Sequence, residues 1–217
     1  MNVVYSRDHL IHNPQWEIFQ GERIPHVERP ERIESIIASL KSSKHTILSP
    51  GQFSTRYIYS VHTKNYVDYI KRLSSSLQED QSLYPSYYIL DTYTPIFSET
   101  YKAAKNAVNC ALTGAQLIKE EQIAYALCRP PGHHAEKDRL GGYCYFNNAA
   151  IAAEYLSQSG TVAILDIDFH HGNGTQHIFY SRSDVLYVSI HADPSIRYPY
   201  TSGFSSENGI KRASSRE

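Results

Sequence analysis

The chain has 217 residues and a formal net charge of −1, which suits one α/β domain or most of one. Acids and bases are mixed along it, so neither a nucleic-acid-binding nor a membrane-binding surface is predicted. Its three cysteines are odd in number and lack CxxC spacing, which argues against a disulfide framework and a cysteine zinc site. With no signal-peptide pattern at the first residues, we expect a soluble cytoplasmic protein.

The first part of the chain predicts a short strand at residues 1–5 and then mainly helices. Apolar residues recur at helical spacing in three stretches, residues 29–43, 60–75 and 97–122. The polar segment of residues 78–88, between the second and third helices, predicts a loop.

Short apolar runs alternate with a helix in the second part of the chain. Strands are predicted at residues 123–128, 161–168 and 184–191, with a helix at residues 147–160. This alternation is typical of a parallel sheet that helices cover on both faces. We therefore predict a single α/β domain over residues 1–209.

Polar side chains follow all three of these strands, and ligands bind at the carboxyl ends of strands in such sheets. Asp168 and His170 are two residues apart, so they point to the same side of an extended chain. A carboxylate and an imidazole there can hold one borderline divalent ion such as zinc or iron(II). The alternative is a cluster that only caps backbone groups. We favour the metal site because His171 and two glycines follow directly.

Two adjacent histidines, His133 and His134, follow the first of these strands in the stretch RPPGHH. Adjacent side chains in an irregular turn can point in different directions, so the pair can act as a general base and a general acid beside a metal. Loop histidines without a joint task are the alternative. Just downstream, Gly142 would let a substrate approach the backbone, and Tyr143 would form an apolar wall or pack in the core.

Four stretches, RPPGHHA, GGYCYFNNAAIAA, AILDIDFHHGNGTQ and YVSIHADP, resemble the histone deacetylase superfamily. Residues 3–36 are similar to its bacterial acetylpolyamine amidohydrolase branch. The resemblance extends from Met1 to about Gly209 and keeps the family's order of motifs. It implies the arginase-deacetylase α/β fold with a central parallel sheet, and a zinc hydrolase that removes an acyl group from an amine.

The resemblance also implies roles for individual residues. Asp168 and His170 match two zinc ligands, and His133 and His134 match the paired catalytic histidines. The other matches are the histidine partners Asp166 and Asn173; the substrate-binding Gly142, Tyr143 and Tyr198; a potassium-type monovalent-cation site of Asp166, Asp168, His170, Ser189 and Ile190; a second such site of Phe179, Arg182 and Val185; and Arg32 near an acetate-exit cavity.

The partners of the two histidines differ in chemistry. A carboxylate partner favours an imidazolium, whereas a carboxamide partner does not. We therefore hypothesise that His133, which would face Asp166, is the more cationic of the two. His134, which would face Asn173, would stay neutral and act as the base.

The substrate that the resemblance implies is an acetylated polyamine or, alternatively, an acetylated lysine of a protein such as a histone. Two acids are candidates for binding it. Glu17 matches the position of an acid near the tunnel entrance in the polyamine branch, and Asp91 resembles a rim aspartate that orients substrate in the wider family. Each would otherwise be a solvated surface acid. The segment before Asp91 is shorter than in the polyamine branch, in which it assists formation of a homodimer.

The family's third zinc ligand is an aspartate on a later strand, and a later tyrosine polarises the scissile carbonyl. Asp184 and Asp193 do not fit that ligand position, and the residues after Gly209 depart from the family pattern. We therefore expect a truncated domain of impaired activity, with C-terminal strands missing, one side of the sheet bare and a divergent, disordered tail at residues 210–217. The alternative of another class is a catalytically inactive relic or binding protein. A two-metal, arginase-like hydrolase would need a carboxylate at Gly172.

Overall fold

The computed structural model describes residues 1–120 and 123–209, which fold into short parallel strands with helices packed around them. Residues 210–217, for which the sequence predicts a disordered tail, lie outside the described part, as do the last two residues of the third predicted helix. Within the described ranges, no helix is long and apolar enough to cross a membrane.

Strands in the described part of the chain form parallel and antiparallel pairs. Their bounds are β1 Asn2–Tyr5, β2 Trp16–Phe19, β3 Glu22–Pro25, β4 Thr46–Leu48, β5 Ser82–Leu83, β6 Ile96–Phe97, β7 Ala124–Leu127, β8 Val162–Asp166 and β9 Val185–Ser189.

The parallel strands carry the polar stretches that the sequence analysis singled out. They form two ladders, one in the order β4–β1–β7 and the other between β8 and β9. Val4 of β1 is in register with Ala126 of β7, and Asp166 of β8 with Ser189 of β9. The prediction of an α/β fold with a parallel sheet is therefore confirmed, although among the described residues β7 and β8 do not pair with each other.

The helices pack against these strands and against one another. Their bounds are α1 Glu31–Ser42, α2 Arg56–Tyr59, α3 Lys64–Ser76, α4 Thr100–Leu117, α5 Asn148–Ser157 and α6 Asn173–Phe179, and a 3₁₀ helix spans Arg7–Ile11.

The main core lies among α3, α4 and α5. Tyr66 and Ile70 of α3 are fully buried, four residues apart on one helical face, as the period-3.6 pattern predicts. Small buried residues of α4, including Ala104 and Val108, let the neighbouring elements approach closely. The hydroxyl of Tyr66 donates a hydrogen bond to the Tyr145 carbonyl at 2.6 Å, so its burial leaves no polar atom unpaired.

An antiparallel hairpin, formed by β2 and β3, was not predicted from the sequence. Its turn residues Gln20 and Gly21 have φ values of 52° and 84°. Two successive left-handed residues give a turn whose twist matches that of the strands, and glycine adopts this conformation at little cost. The segment predicted as a loop at residues 78–88 also contains β5, which pairs with β6.

One face of the β8–β9 pair exposes large apolar side chains. Leu165 is 63% exposed, Leu186 62% and Val188 43%, whereas alternate residues on the same strands turn inward. This follows from the period of two along a strand. A contiguous apolar face of this kind promotes self-association.

We expect Leu186→Lys to reduce self-association without loss of stability. The side chain is mostly exposed, so the substitution should change the free energy of unfolding by no more than about 0.5 kcal/mol. Light scattering against concentration and urea unfolding measure the two effects. A loss of stability above about 2 kcal/mol, the scale of a core substitution, would mean that this face is covered in solution.

Candidate active site

A cavity of about 690 Å³ lies at the carboxyl ends of β7 and β8 and is also lined by Tyr198 and Tyr200, from the segment after β9. His133 and His134 reach it from the turn after β7, and Asp168 and His170 from the turn after β8. The two histidine rings lie side by side, with centroids 4.0 Å apart. The segments after β7 and β8 thus meet at one cavity, as the sequence pattern predicted, whereas Ser189 and His191 at the end of β9 are not among its lining residues.

His133 contacts a carboxylate at the end of β8. Its Nδ1 lies 2.9 Å from Asp166 Oδ2, which also accepts a hydrogen bond from the Tyr187 hydroxyl at 3.0 Å. Burial alone would raise the pKa of Asp166, but the hydrogen bond and charge of His133, with the Asp168 amide and Tyr187, outweigh burial and lower the pKa to about 2. Asp166 is therefore ionised at neutral pH.

His134 contacts an amide at the start of α6. Its Nδ1 lies 2.8 Å from Asn173 Oδ1, and the imidazole is almost completely buried. Burial, and after it the neighbouring His133, holds the pKa of His134 well below its usual range. His134 is therefore neutral at neutral pH, in keeping with the role predicted for it.

Asp168 and His170 lie at the open side of the cavity. Asp168 Oδ1 is 3.6 Å from His170 Nδ1 and accepts a hydrogen bond from the His170 amide at 2.8 Å. Both side chains are nearly half exposed, so a metal ion could reach them. Over the described ranges, however, no group of three histidine, cysteine or acidic side chains is placed to hold a metal. These residues thus fit two ligand positions of a zinc site that requires three.

Asp91 does not lie at the rim in the way that was predicted. Its Oδ2 accepts hydrogen bonds from the Gly142 amide at 2.6 Å and the Tyr198 hydroxyl at 3.3 Å, and its Oδ1 from the Tyr93 and Thr94 amides. Burial raises the pKa of this carboxyl, and the backbone donors partly offset the effect. Asp91 therefore holds the loop that carries Gly142, because its oxygens are already occupied by that loop and its neighbours.

Glu17 lies behind the cavity wall and not at its entrance, which corrects the predicted position. It is 1% exposed. Its Oε1 accepts from the Tyr143 hydroxyl at 3.0 Å, and its Oε2 accepts from the Val27 amide at 3.1 Å. The contacts with His26, Val27 and Tyr143 outweigh the burial and lower the pKa of Glu17. These hydrogen bonds offset the cost of burying the Glu17 carboxylate.

Aromatic rings form the walls of the cavity. Tyr143 and Tyr198, both predicted, line it together with Tyr93, which the sequence analysis missed. Tyr93 lies between the other two, with ring centroids 5.6 Å from Tyr143 and 5.8 Å from Tyr198. Arg32 also lines the cavity, as does Cys128.

The residues predicted for the two cation sites lie around β8, β9 and α6. Ser189 donates or accepts a hydrogen bond at His191, 2.8 Å away, and the Ile190 amide donates to the Asp166 carbonyl. Phe179 and Val185 are buried, and Arg182 forms ion pairs with Glu154 and Asp184. The part of these residues in holding potassium stays a prediction.

We expect Gly142→Ala to disturb His134 directly. Gly142 has a φ of +55°, and a Cβ atom on it would lie 2.0 Å from His134 Cδ2. The ring must move, and a displacement of about 1 Å can reduce activity roughly 100-fold. The value of kcat/KM for amide hydrolysis measures the effect.

Gly21→Ala is the matched control for that substitution. Gly21 also has a left-handed φ, +84°, but no atom lies within 4 Å of a Cβ placed there. It should lose about 1–2 kcal/mol of stability through strain and keep its activity. Equal activities of the two variants would contradict the predicted contact with His134.

Comparison with known proteins identifies the family. The Histone deacetylase domain family matches residues 26–217. Acetylpolyamine amidohydrolase 2 of Pseudomonas aeruginosa is 37% identical over 236 residues, which cover 96% of this chain and 69% of that protein. The acetylpolyamine amidohydrolase of Mycoplana ramosa is 36% identical, with the same coverage.

A solved structure agrees with these matches. The crystal structure of acetylpolyamine aminohydrolase from Burkholderia pseudomallei has a TM-score of 0.90 and 35% identity, and the match covers 97% of this chain and 68% of that one. Fold and sequence thus define an amide deacetylase with a parallel α/β architecture. The chain belongs to the histone deacetylase family, and the resemblance inferred from its motifs is confirmed.

Proposed function

We propose that the chain is a zinc-dependent amide hydrolase that removes acetyl groups from acetylated polyamines. The observation that carries the proposal is the pair of hydrogen-bonded histidines, His133 with Asp166 and His134 with Asn173, at one cavity lined by tyrosines. The names of the relatives from Pseudomonas aeruginosa and Mycoplana ramosa support the polyamine substrate. A structural potassium ion, a homodimer and a cytoplasmic location are further parts of the proposal, carried by the family resemblance alone.

The two histidines divide the proton transfers between them. Asn173 Oδ1 accepts from His134 Nδ1, so the lone pair of neutral His134 is on Nε2 and can take a proton from a water molecule in the cavity. His133, whose Nδ1 is held by the ionised Asp166, is the other imidazole at the cavity and is the group that would protonate the departing amine.

Zinc would supply Lewis-acid chemistry toward the acyl carbonyl. Asp168 and His170 are the residues that we propose to hold it. Because the described residues provide two ligands where zinc needs three, weak zinc affinity and impaired turnover are expected of them alone.

The cavity wall suits a cationic amine. The Tyr143 hydroxyl donates to the Glu17 carboxylate, which is expected to increase the electron density of a ring that lines the cavity. The faces of tyrosine rings attract ammonium groups, by about 0.5–2 kcal/mol. Tyr93 and Tyr198 extend this aromatic surface beside an alkyl chain.

The test is hydrolysis of acetylputrescine and of an acetyl-lysine peptide by the 217-residue chain with zinc in excess, together with the zinc stoichiometry. The proposal expects acetylputrescine to have at least about a tenfold higher kcat/KM, equal to roughly 1.4 kcal/mol. The reverse preference would support the lysine deacetylase alternative. A folded chain that hydrolyses neither substrate would support the inactive or binding alternative.

The partner of His134 should determine the acidic limb of the pH profile. Asn173→Asp, made together with Glu136→Gln so that no second carboxylate faces it, places a carboxylate beside His134, which favours the imidazolium and raises its pKa. The base is then protonated at higher pH, so the acidic limb of kcat/KM should move to higher pH. A profile with an unmoved acidic limb would contradict the assignment of His134 as the base.

A further inference from the structure

A mostly buried carboxylate, that of Glu136, lies behind the pair of Asn173 and His134. Asn173 Nδ2 donates to Glu136 Oε1 at 3.1 Å, and the Glu136 side chain is 12% exposed. Its other oxygen, Oε2, lies 2.9 Å from Nδ1 of His177, whose side chain is 52% exposed. A continuous chain of hydrogen bonds thus connects His134 in the cavity with a histidine at the surface.

This chain of contacts determines the orientation of an amide. An ionised carboxylate only accepts hydrogen bonds, so the group of Asn173 that faces Glu136 must be its NH₂. The carbonyl oxygen of Asn173 then faces His134, 2.8 Å from Nδ1. Because that oxygen can only accept, Nδ1 of neutral His134 must carry the hydrogen, and Nε2 is left with its lone pair.

We propose that Glu136 is a positioning residue that fixes the amide of Asn173 and, through it, the tautomer of His134 that can accept a proton at Nε2. The inference deepens the proposed function, since it concerns the same base. Without an acceptor at position 136, only the long contact of 3.5 Å to the His134 carbonyl holds the Asn173 NH₂, and the amide can turn over and present its NH₂ to His134. That orientation selects the opposite tautomer, in which Nε2 carries the hydrogen and cannot act as a base.

Glu136 also constrains position 173 itself. An aspartate there would place a second carboxylate against Glu136 at the distance of the present hydrogen bond, in a site shielded from water. Like charges in such a site repel strongly. Glu136 and Asn173 therefore form a matched pair of acceptor and donor.

The first test measures the tautomer of His134 directly and does not require catalytic activity. In the metal-free chain labelled with ¹⁵N-histidine, long-range ¹⁵N–¹H spectra show which ring nitrogen of His134 carries hydrogen, and the spectrum of His134→Gln assigns its signals. The wild type and Glu136→Gln should both show hydrogen on Nδ1, because the Gln carbonyl still accepts from Asn173. Glu136→Leu should shift the population toward hydrogen on Nε2.

Glu154→Leu is the matched control for Glu136→Leu, since Glu154 is a partly buried glutamate whose partner is Arg182, outside the cavity. It should leave the His134 signals unchanged. Unchanged Nδ1–H signals in Glu136→Leu would overturn the proposal. A chain without turnover would count against the proposed function and leave this result intact, so the two failures are distinguishable.

The second test is a thermal-unfolding cycle, which remains decisive if Glu136→Leu does not fold. Asn173→Asp should lower Tm, and adding Glu136→Gln should recover part of the loss, because the Gln amide can donate to the new carboxylate. If the Tm change of the double variant equals the sum of the two single changes, the proposed pairing of Glu136 with Asn173 would be overturned. In the active chain, kcat of Glu136→Leu should fall about tenfold or more with KM nearly unchanged, and Glu136→Gln should restore it.

Discussion

Replacing His134 with alanine should lower kcat/KM for amide hydrolysis by about 10²–10⁴-fold, the usual contribution of a positioned general base. His134 is neutral because burial lowers its pKa, and its Nδ1 is held by Asn173, so its Nε2 is the acceptor for a proton in the cavity. Neighbouring His133, whose Nδ1 is held by Asp166, is assigned the other proton transfer, to the departing amine. Initial rates with acetylputrescine, measured with zinc in excess, report the loss.

His45→Ala is the control for that substitution, because His45 lies in the turn before β4, away from the cavity. It should keep the wild-type rate. A His134→Ala chain that retained a tenth or more of the wild-type activity, with an unchanged circular dichroism spectrum, would rule out His134 as the principal base; a tenth corresponds to roughly 1.4 kcal/mol of barrier.

The sequence predicted the strands that carry the candidate site because their signals are local. β8 is a run of apolar residues that ends in acids, and the turn RPPGHH follows a similar run. The rule that parallel strands present their carboxyl ends at one edge then placed His133 and His134 near Asp168 and His170. The β2–β3 hairpin was missed although Gln20-Gly21 is a glycine-containing turn, because its strands, WEIF and ERIP, contain charged residues and lack the continuous apolar run of β7 and β8.

The features of the site that could not be predicted from the sequence depend on contacts between distant parts of the chain. The partners of Glu136 are 37 and 41 residues away, at Asn173 and His177, and no spacing in the sequence indicates those contacts. Glu17 and Asp91 were expected near the substrate as charged acids, but each accepts a hydrogen bond from a distant part of the chain, Glu17 from Tyr143 and Asp91 from the Gly142 amide. The sequence identifies an acidic side chain, but the orientation of that side chain depends on the hydrogen-bond donors that folding places around it.

Arg129→Met should cost about 3–5 kcal/mol of the free energy of unfolding. Arg129 is 3% exposed, and its guanidinium donates to Glu28 Oε1 at 2.9 Å, to the Glu28 carbonyl and to the His9 carbonyl. Glu28 is itself 7% exposed, and within the described residues its Oε2 has no hydrogen-bond partner. Removing the arginine leaves an uncompensated buried carboxylate, and urea unfolding at neutral pH measures the loss.

Arg182→Met is the matched control, because Arg182 likewise forms ion pairs, with Glu154 and Asp184, but its side chain is 35% exposed. Solvent screens that pair, so its loss should cost no more than about 1 kcal/mol. Adding Glu28→Leu to Arg129→Met should recover much of the stability, since it removes the stranded charge. Equal losses for the two arginine variants would mean that the Arg129–Glu28 pair is hydrated.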